Sequence, residues 1–216
     1  MGEARGYFLS FEGGEGTGKS TQVERLHRRL GKSDIASRTT REPGGTKAGR
    51  QVREVLLHTN DESMRLSPMS EALLFGLDRL EHLEKVIRPA LGEGRWVLCD
   101  RFADSTLAYQ GYALGGDIKD IKALNALVVG KTQPDLTFVL DVAAEKSLER
   151  VRARDGELSY YDGKMIEFHE KIRAAFLEIA KDDPERCVVI DADAPEEKVA
   201  ERIETICRER LGVKFP

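Results

Sequence analysis

The segment GGEGTGKS at residues 13–20 constrains the fold of this chain more than any other feature of its sequence. It matches the pattern G-x-x-x-x-G-K-[ST] and lies between a short apolar run and a helical pattern. Glycines let backbone N–H groups converge on phosphate oxygens, and the following helix adds its positive dipole end. Lys19 of such a loop reaches the β- and γ-phosphates of ATP, and the Ser20 hydroxyl can ligate Mg²⁺. The candidate ATP-binding residues are Gly13, Gly14, Glu15, Gly16, Thr17, Gly18, Lys19, Ser20 and Thr21.

Short apolar runs alternate with longer helical patterns along the whole chain. The runs lie at residues 7–11, 96–99, 136–140 and 187–190, with a weaker candidate at 35–40. Runs of this length suit buried strands, and their alternation with helices predicts an α/β fold with a parallel sheet. Ligands of such sheets bind beyond the carboxyl ends of the strands. The rim of the site is therefore predicted at residues 13–20, Asp100, Arg101 and Asp141.

Apolar residues at helical spacing predict the faces with which the helices pack. Val23, Leu26 and Leu30 mark the helix after the glycine-rich loop, and Gly31 is suited to end it. A longer helix carries leucines at positions 73, 74, 77, 80 and 83, all of which we expect to pack in the core.

The composition is that of a globular protein with room for one domain. Of the 216 residues, 40% are hydrophobic and 33% are charged, and the net charge is −4. A mildly acidic chain argues against nucleic-acid binding through bulk charge. The three cysteines form no C-x-x-C pair, and the four histidines show no metal-ligand spacing. Without a signal peptide or a bilayer-length apolar segment, we expect a cytoplasmic protein that binds no membrane.

Further motifs follow the glycine-rich loop. They are REPGGT at residues 41–46, DRF at 100–102, ST at 105–106 and AYQG at 108–111. Together with the loop, these motifs resemble those of bacterial thymidylate kinases, and the resemblance runs from about Phe8 to the last helix. It implies a five-stranded parallel sheet wrapped by helices, of P-loop NTPase type, in a single domain over residues 1–216. It also implies ATP and dTMP as substrates, Mg²⁺ as cofactor and a homodimer.

Asp100 and Arg101 end an apolar run at the predicted rim. The Asp100 carboxylate could hold magnesium, together with Ser20, and the alternative is a helix cap or a surface charge. Arg101 carries a planar guanidinium suited to a phosphate, and its alternative is an ion pair with Asp100 or Glu42. By resemblance, Arg101 holds the phosphate of dTMP.

The resemblance also implies a pocket for the nucleoside of dTMP. Phe75 and Arg79 lie four apart and share a helical face; in the family the ring stacks on thymine and the guanidinium donates to a base carbonyl. Asp78, between them, is expected to orient an arginine. In the family Tyr109 packs against the deoxyribose C2′ and Glu15 binds the 3′-hydroxyl. The predicted dTMP-binding residues are Glu15, Arg41, Arg53, Phe75, Arg79, Arg101, Ser105, Thr106, Tyr109 and Gln110.

Positive charge is the predicted catalytic resource of the chain. A phosphate oxygen of dTMP would be the nucleophile, and with a second pKa of about 6 it needs no general base. The obstacle is repulsion between two polyanions, so catalysis depends on positioning and on cations around a loose transition state. Lys19, Arg101 and Mg²⁺ supply part of that charge.

Arginines at positions 150, 152 and 154 precede a polar loop, and the resemblance implies a short lid here, at about residues 150–162. Arg150 and Arg154 share a helical face, and a solvated basic helix end is the alternative interpretation. Some thymidylate kinases carry a catalytic arginine in the glycine-rich loop, and others carry it in the lid. Because Gly16 occupies the loop position here, the resemblance implies Arg154, assisted by Arg152, as the donor to the transferring phosphoryl group.

The end of the predicted lid departs from the family. The chain has SYYD at residues 159–162, with Tyr160 where an arginine is usual. This departure leaves a larger share of the lid's function to Arg154 and Arg152.

Two other function classes fit parts of the pattern. The nearer one is another small P-loop nucleotide or nucleoside kinase, which a panel of acceptors would distinguish. The other is a nucleotide-binding switch whose output is a conformational change. The DRF and AYQG motifs argue against a switch, because they need a second ligand.

Overall fold

The strands form a parallel sheet whose order explains where the glycine-rich loop lies. The structure is a computed structural model that describes residues 6–57, 65–153, 161–162 and 164–215. Within these residues the sheet has five strands in the order β2-β3-β1-β4-β5, all parallel. The strands are β1 (Phe8–Glu12), β2 (Ser37–Arg41), β3 (Trp96–Asp100), β4 (Leu136–Asp141) and β5 (Cys187–Asp191). The predicted α/β class and parallel sheet are confirmed.

Helices connect the strands and cover both faces of the sheet. Two of them continue into π-helical turns, α3 through Leu83–Ile87 and α5 through Leu107–Ala113. The helices are α1 (Lys19–Gly31), α2 (Lys47–Leu57), α3 (Pro68–His82), α4 (Arg88–Gly92), α5 (Ala103–Thr106), α6 (Ile118–Val129), α7 (Ala144–Ala153), α8 (Ile166–Asp182) and α9 (Glu196–Leu211). Among the described residues, no helix is long and apolar enough to cross a membrane.

The register of the central strands brings the functional loops together. Phe11 of β1 is paired with Asp100 of β3, and the Arg101 N–H donates to the Phe11 carbonyl at 2.9 Å. The loops that follow β1 and β3 therefore leave the sheet side by side, at the edge where ligands of parallel sheets bind.

The core lies on both faces of the sheet. On one face α1 and α9 pack against Phe11 and Phe138, and the predicted residues Val23, Leu26 and Leu30 are buried there. The other face is covered by residues of α8 and of the π-helical segment after α5. This packing fixes the sheet edge from which the site is built.

The prediction that all the leucines of α3 lie in the core is wrong. Leu83 is buried, but the side chains of Leu73, Leu77 and Leu80 are 54%, 50% and 42% exposed. The buried face of α3 carries polar residues instead, among them Asp78, Arg79 and His82. Their hydrogen-bond partners include Glu42 and Gly44, distant in sequence, so the helix turns its polar face inward and leaves three leucines at the surface.

Candidate active site

The glycine-rich loop wraps around the ammonium of Lys19, the first residue of α1. Lys19 Nζ donates to the Gly14 carbonyl at 2.6 Å and to the Gly13 carbonyl at 3.2 Å. Burial, reinforced by the positive charge of Arg101, lowers the pKa of Lys19 to about 8. The ammonium is thus held by neutral oxygens in a site that favours an added anion.

Gly16 occupies a position that only glycine fits in this conformation. Its φ is +71°, and a Cβ atom there would lie 2.2 Å from the Ser147 carbonyl oxygen of α7. A side chain at this position would have to displace helical backbone. The loop therefore has no room for an arginine, in keeping with the expectation that such an arginine comes from elsewhere.

Ser20 and Asp100 are brought into direct contact. The Ser20 hydroxyl donates to Asp100 Oδ2, which joins the start of α1 to the end of β3. Hydroxyl and carboxylate oxygens are the ligands that Mg²⁺ accepts. Within the described part of the chain no cluster of three or more His, Cys, Asp or Glu side chains could hold a metal by itself. The pair fits a magnesium ion that takes its remaining ligands from phosphate and water.

Arg101 follows Asp100 and reaches back over the glycine-rich loop. One terminal nitrogen donates to the Gly13 carbonyl at 2.9 Å and to Ser105 Oγ at 3.1 Å, and the other donates to Tyr109 Oη at 3.0 Å. Arg101 forms its ion pair with Glu15, at 2.9 Å. The alternative considered from the sequence was an ion pair with Asp100 or Glu42.

The charge state of Glu15 follows from this contact. Burial acts to raise the pKa of Glu15, but the charges of Arg101 and Lys19 outweigh it and bring the pKa down to about 2. Tyr109 Oη also donates to Glu15 at 3.0 Å. Glu15 is therefore an anion that holds Arg101 and Tyr109 in one place beside the loop.

A cleft of about 830 Å³ unites most of the predicted residues. Its lining includes both the loop and the second set of candidates. The predicted residues that line it are Glu15, Gly16, Thr17, Gly18, Lys19, Ser20, Thr21, Arg41, Arg53, Phe75, Arg79, Asp100, Arg101, Ser105, Thr106, Tyr109 and Gln110. Gly13 and Gly14 lie behind the loop, where their carbonyls bind Lys19. The predicted ATP and dTMP residues thus face one common space.

The arginines of α7 are placed unequally. Arg150 lines the cleft, whereas Arg152 is exposed at the end of the helix. Arg154 lies outside the described residues. Asp141, also predicted at the rim, is bound by Arg173 of α8 at 2.6 and 2.9 Å.

At the far end of the cleft Arg79 is buried in a polar network. It donates to Glu42 at 2.9 Å, to Thr106 Oγ1 at 2.9 Å and to the Phe102 carbonyl at 3.1 Å. A fourth bond reaches Asn125 Oδ1 at 3.0 Å. These four bonds leave one of its five N–H groups for a ligand.

Asp78 was expected to orient an arginine, but the structure gives it a different contact. Its Oδ1 accepts from the Gly44 N–H at 3.1 Å and so ties α3 to the loop after β2. His82 supports the same loop, because its ring nitrogens bond to Glu42 at 2.9 Å and to Thr40 at 2.6 Å. Burial and the charge of Glu42 raise the pKa of Asp78 to about 6.

Several residues of the site were missed from the sequence. Glu12 ends β1, and its carboxyl accepts from the Phe102 N–H at 2.7 Å and from Ser105 Oγ at 2.6 Å. Burial and the charge of Asp104 raise the pKa of Glu12 to about 8. The sequence did carry a signal for Glu12, because a charged residue at the last position of an apolar strand indicates a functional position at the edge of the sheet.

The cleft also extends further than predicted, toward the loop after β5. Ala192, Ala194 and Pro195 line this end together with Arg150. Nothing in their residue types marks them, because small apolar residues in a polar loop are common. They are found only once the sheet order places β5 beside β4.

The parallel sheet, the P-loop at the end of its central strand and the shared cleft together define a P-loop NTPase of the nucleotide kinase type. A family model described as thymidylate kinase matches residues 11–203. A thymidylate kinase of Caulobacter vibrioides is 49% identical over 211 residues, which cover 97% of this chain and 99% of that protein. Thymidylate kinases of Bradyrhizobium diazoefficiens and of Synechococcus sp. are each 44% identical over 209 residues, covering 96% and 97% of this chain and 91% and 98% of their own lengths. The chain belongs to the thymidylate kinase family.

Proposed function

We propose that this protein transfers the γ-phosphate of ATP to dTMP, giving ADP and dTDP. The observation that carries the proposal is the Arg101–Glu15 pair, which lines the same cleft as Lys19 and lies beside its ammonium at the glycine-rich loop. A P-loop without a second anion site would suit a hydrolase or a switch. A guanidinium held beside the loop by exchangeable polar contacts suits a phosphorylated acceptor.

The acceptor phosphate would be held by the arginines at the entrance to the second site. Arg41, Arg53 and Arg101 all line the cleft. Burial and the positive charge of Arg41 lower the pKa of the Arg53 guanidinium. Positive charges at this end of the cleft therefore repel one another. A phosphate monoester bound there would relieve this repulsion. It would also be oriented by the same groups, and positioning is the larger part of catalysis for phosphoryl transfer.

The base pocket carries a pattern that suits thymine. The remaining N–H of Arg79 can donate to a carbonyl such as O4, and Gln110 lies on the same lining. Phe75 offers a half-buried ring for stacking. Tyr109 is held by Glu15 and Arg101, so its ring cannot move aside for a 2′-hydroxyl without breaking both contacts.

The donor nucleotide would lie along the loop toward β5. Backbone N–H groups of residues 13–20 and the amino end of α1 would receive its phosphates. Its base would reach the surface formed by Ala192, Ala194 and Pro195, with Arg150 beside it. A planar guanidinium and small apolar side chains suit the faces of a purine.

Ser20 and Asp100 would hold Mg²⁺, which would supply charge neutralisation between the phosphates. Neither residue needs to act as a base, because the acceptor oxygen is largely ionised at neutral pH. We further propose that residues of about 150–162 act as a lid. Arg154 of this lid, with Arg152, would donate to the transferring phosphoryl group. We also expect this reaction to take place in the cytoplasm, in keeping with three free cysteines.

The protein is further proposed to be a homodimer that pairs through its exposed leucines. Leu73, Leu77 and Leu80 form a stripe along α3, and Leu127 of the adjacent α6 is 82% exposed. A patch of this kind is unusual on a monomer and is suited to a second copy of the chain.

Leu77→Lys should convert the dimer to a monomer, because it would place two like charges in an apolar interface. Val189→Lys is the matched control, since Val189 is 45% exposed on β5, away from α3. Light scattering after size exclusion measures both. A monomeric parent protein, or a Leu77→Lys protein that stays dimeric, would rule out this interface.

A panel of phosphate acceptors tests the proposed reaction. The protein would be given ATP and Mg²⁺ with dTMP, dCMP, dGMP, dAMP or thymidine, and products would be separated by chromatography. We expect dTDP and ADP from dTMP, and little product from the others. Product from thymidine but not from dTMP would show a nucleoside kinase, and ATP hydrolysis that no acceptor stimulates would show a switch.

A further inference from the structure

The side-chain amide of Gln110 is held by two residues, Glu71 and Tyr161, to which no contact with either substrate has been assigned. Its nitrogen Nε2 donates to Glu71 Oε2 at 2.9 Å and to Tyr161 Oη at 2.9 Å. Tyr161 Oη in turn donates to Glu71 Oε2 at 2.6 Å. All three side chains are buried, and Gln110 and Tyr161 also line the cleft.

The directions of these hydrogen bonds follow from the groups themselves. The Glu71 carboxylate is an acceptor, so whatever faces it must carry a proton. Tyr161 gives its single proton to Glu71, and its oxygen can then accept but not donate toward Gln110. The amide nitrogen of Gln110 therefore faces this pair of oxygens, and Oε1, on the other side of the amide, is the acceptor that Gln110 can offer to the cleft.

The opposite orientation of the amide would be costly. A half-turn would place Oε1 against two oxygen acceptors and leave the two amide protons without them. In a buried site, each polar group left without its partner costs about 1–3 kcal/mol. The network therefore selects one of the two orientations in which the amide, with its oxygen and nitrogen exchanged, could otherwise fit.

We propose that Glu71 and Tyr161 are positioning residues that turn the Gln110 carbonyl toward the base and so select pyrimidines that carry an N3–H. Thymine and uracil have a proton at N3, whereas cytosine presents a lone pair there. A fixed acceptor would bind the first two and repel the third. This inference rests on the proposed function and names the groups that set its substrate class.

The hydroxyl and the ring of Tyr161 have separate roles in the structure. The ring lies edge-on to Tyr109, with centroids 5.2 Å apart, and is stacked on Phe168 at 6.0 Å. The hydroxyl makes the contacts with Glu71 and Gln110. Tyr161→Phe therefore removes the hydrogen bonds and keeps the packing.

The test compares kcat/KM for dTMP and for dCMP in the parent protein and in Tyr161→Phe. We expect the dTMP-to-dCMP ratio to fall about fivefold, because one of the two acceptors that hold the amide is lost. The change should appear more in KM for dTMP than in kcat, because the variant alters how the base is held. Tyr112→Phe is the matched control, since Tyr112 Oη donates to Glu178 at 3.0 Å at the protein surface. It should leave the ratio unchanged.

Glu71→Gln provides a second, stronger variant. An amide at position 71 can donate to Oε1 of Gln110, so the turned orientation becomes satisfied and the ratio should fall further than in Tyr161→Phe. It carries the test if Tyr161→Phe fails to fold in a thermal unfolding scan.

An unchanged ratio in folded variants would overturn the inference and leave the proposed function intact. An equal loss of kcat on both acceptors would also overturn it, because it would indicate a structural role. A parent protein that does not phosphorylate dTMP would instead refute the proposed function, and this inference with it.

Discussion

Arg79 and Arg101 point into the same cleft, but they are held by different kinds of partner. The side chain of Arg79 is 1% exposed, and its contacts include a buried carboxylate and the backbone carbonyl of Phe102, just before α5. The side chain of Arg101 is 14% exposed, and its partners Glu15, Ser105 and Tyr109 themselves line the cleft.

The difference separates a guanidinium that builds the pocket from one that can exchange partners. Breaking the Arg79 contacts would leave Glu42 charged and buried, at a high cost in folding free energy. The Arg101 contacts lie where a phosphate oxygen could replace a hydroxyl or a carboxylate. We therefore expect substitutions of Arg79 to affect mainly stability and substitutions of Arg101 to affect mainly turnover.

The largest effect is expected for Arg101→Ala. Loss of a guanidinium that contacts the phosphate should lower kcat/KM for dTMP by about 10³-fold. The unfolding free energy should fall by less than in Arg79→Ala, since the Arg101–Glu15 pair lines the cleft, where water can take the place of the lost partner. Steady-state kinetics and thermal unfolding measure the two quantities. Arg101→Lys, which keeps the charge but loses the planar fork, should fall between the variant and the parent.

A large loss of stability is expected for Arg79→Ala. Leaving Glu42 buried without its arginine, with His82 as its remaining side-chain partner, should cost about 3–5 kcal/mol. For a chain of this size, that corresponds to a decrease in Tm of about 10 °C. The double variant Arg79→Met with Glu42→Gln should recover part of the loss, because neither charge remains buried. If Arg79→Ala were as stable as the parent, the contrast between the two arginines would be wrong.

Lys19, like Arg101, is a cation that can exchange its partners, because its contacts are carbonyls that a triphosphate can replace. Burial, helped by the charge of Arg101, lowers the pKa of Lys19 to about 8. As the pH rises through that value the ammonium loses its proton, so affinity for ATP should fall toward a tenfold loss per pH unit. Calorimetric titration with ATP between pH 6 and about 10 measures the decline.

Glu12, Glu15 and Asp100 also face Lys19, and the pKa of Glu12 is likewise about 8. Lys19→Arg distinguishes them, since a guanidinium stays protonated over this range. If the step near pH 8 persists in Lys19→Arg, then Glu12 causes it. If it disappears, Lys19 does.

Elements that depend on local pattern were predictable from the sequence. Four of the five strands appeared as short apolar runs, and β2, whose residues are polar, only as the weaker candidate at residues 35–40; the glycine-rich loop followed the first run. The position of Asp100 and Arg101 beside that loop followed from the rule for parallel sheets. Local spacing and sheet topology thus fixed the phosphate end of the cleft.

The base end was less accessible to sequence reasoning, because it depends on contacts between distant residues. Glu42 and Arg79 are 37 positions apart, and Gln110 and Tyr161 are 51 apart. A buried polar network interrupts the apolar face of α3, so hydrophobic periodicity assigned Leu73 and Leu77 to the core when they are exposed. The signal for such networks is mutual satisfaction of polar groups, which a single sequence does not display.

The smallest effect concerns how the Arg101 backbone is held. Arg101 has a φ of +69°, a conformation that costs about 1–2 kcal/mol for a residue with a side chain. Cys99 Sγ lies 3.0 Å from the Arg101 carbonyl, and burial raises the pKa of the Cys99 thiol well above its usual value. The thiol therefore keeps its proton at neutral pH and can donate to that carbonyl.

Cys99→Ala should reduce the unfolding free energy by about 1 kcal/mol and lower kcat/KM for dTMP by a few-fold, because Arg101 loses a support. Cys99→Ser keeps a donor and should retain more of the activity. Cys207→Ala is the matched control: Cys207 is fully buried in α9, so this variant reports the loss of a buried thiol by itself. If Cys99→Ala and Cys207→Ala lose equal stability and neither loses activity, the strained backbone of Arg101 is held by its side-chain partners, and the contrast with Arg79 lies in those partners alone.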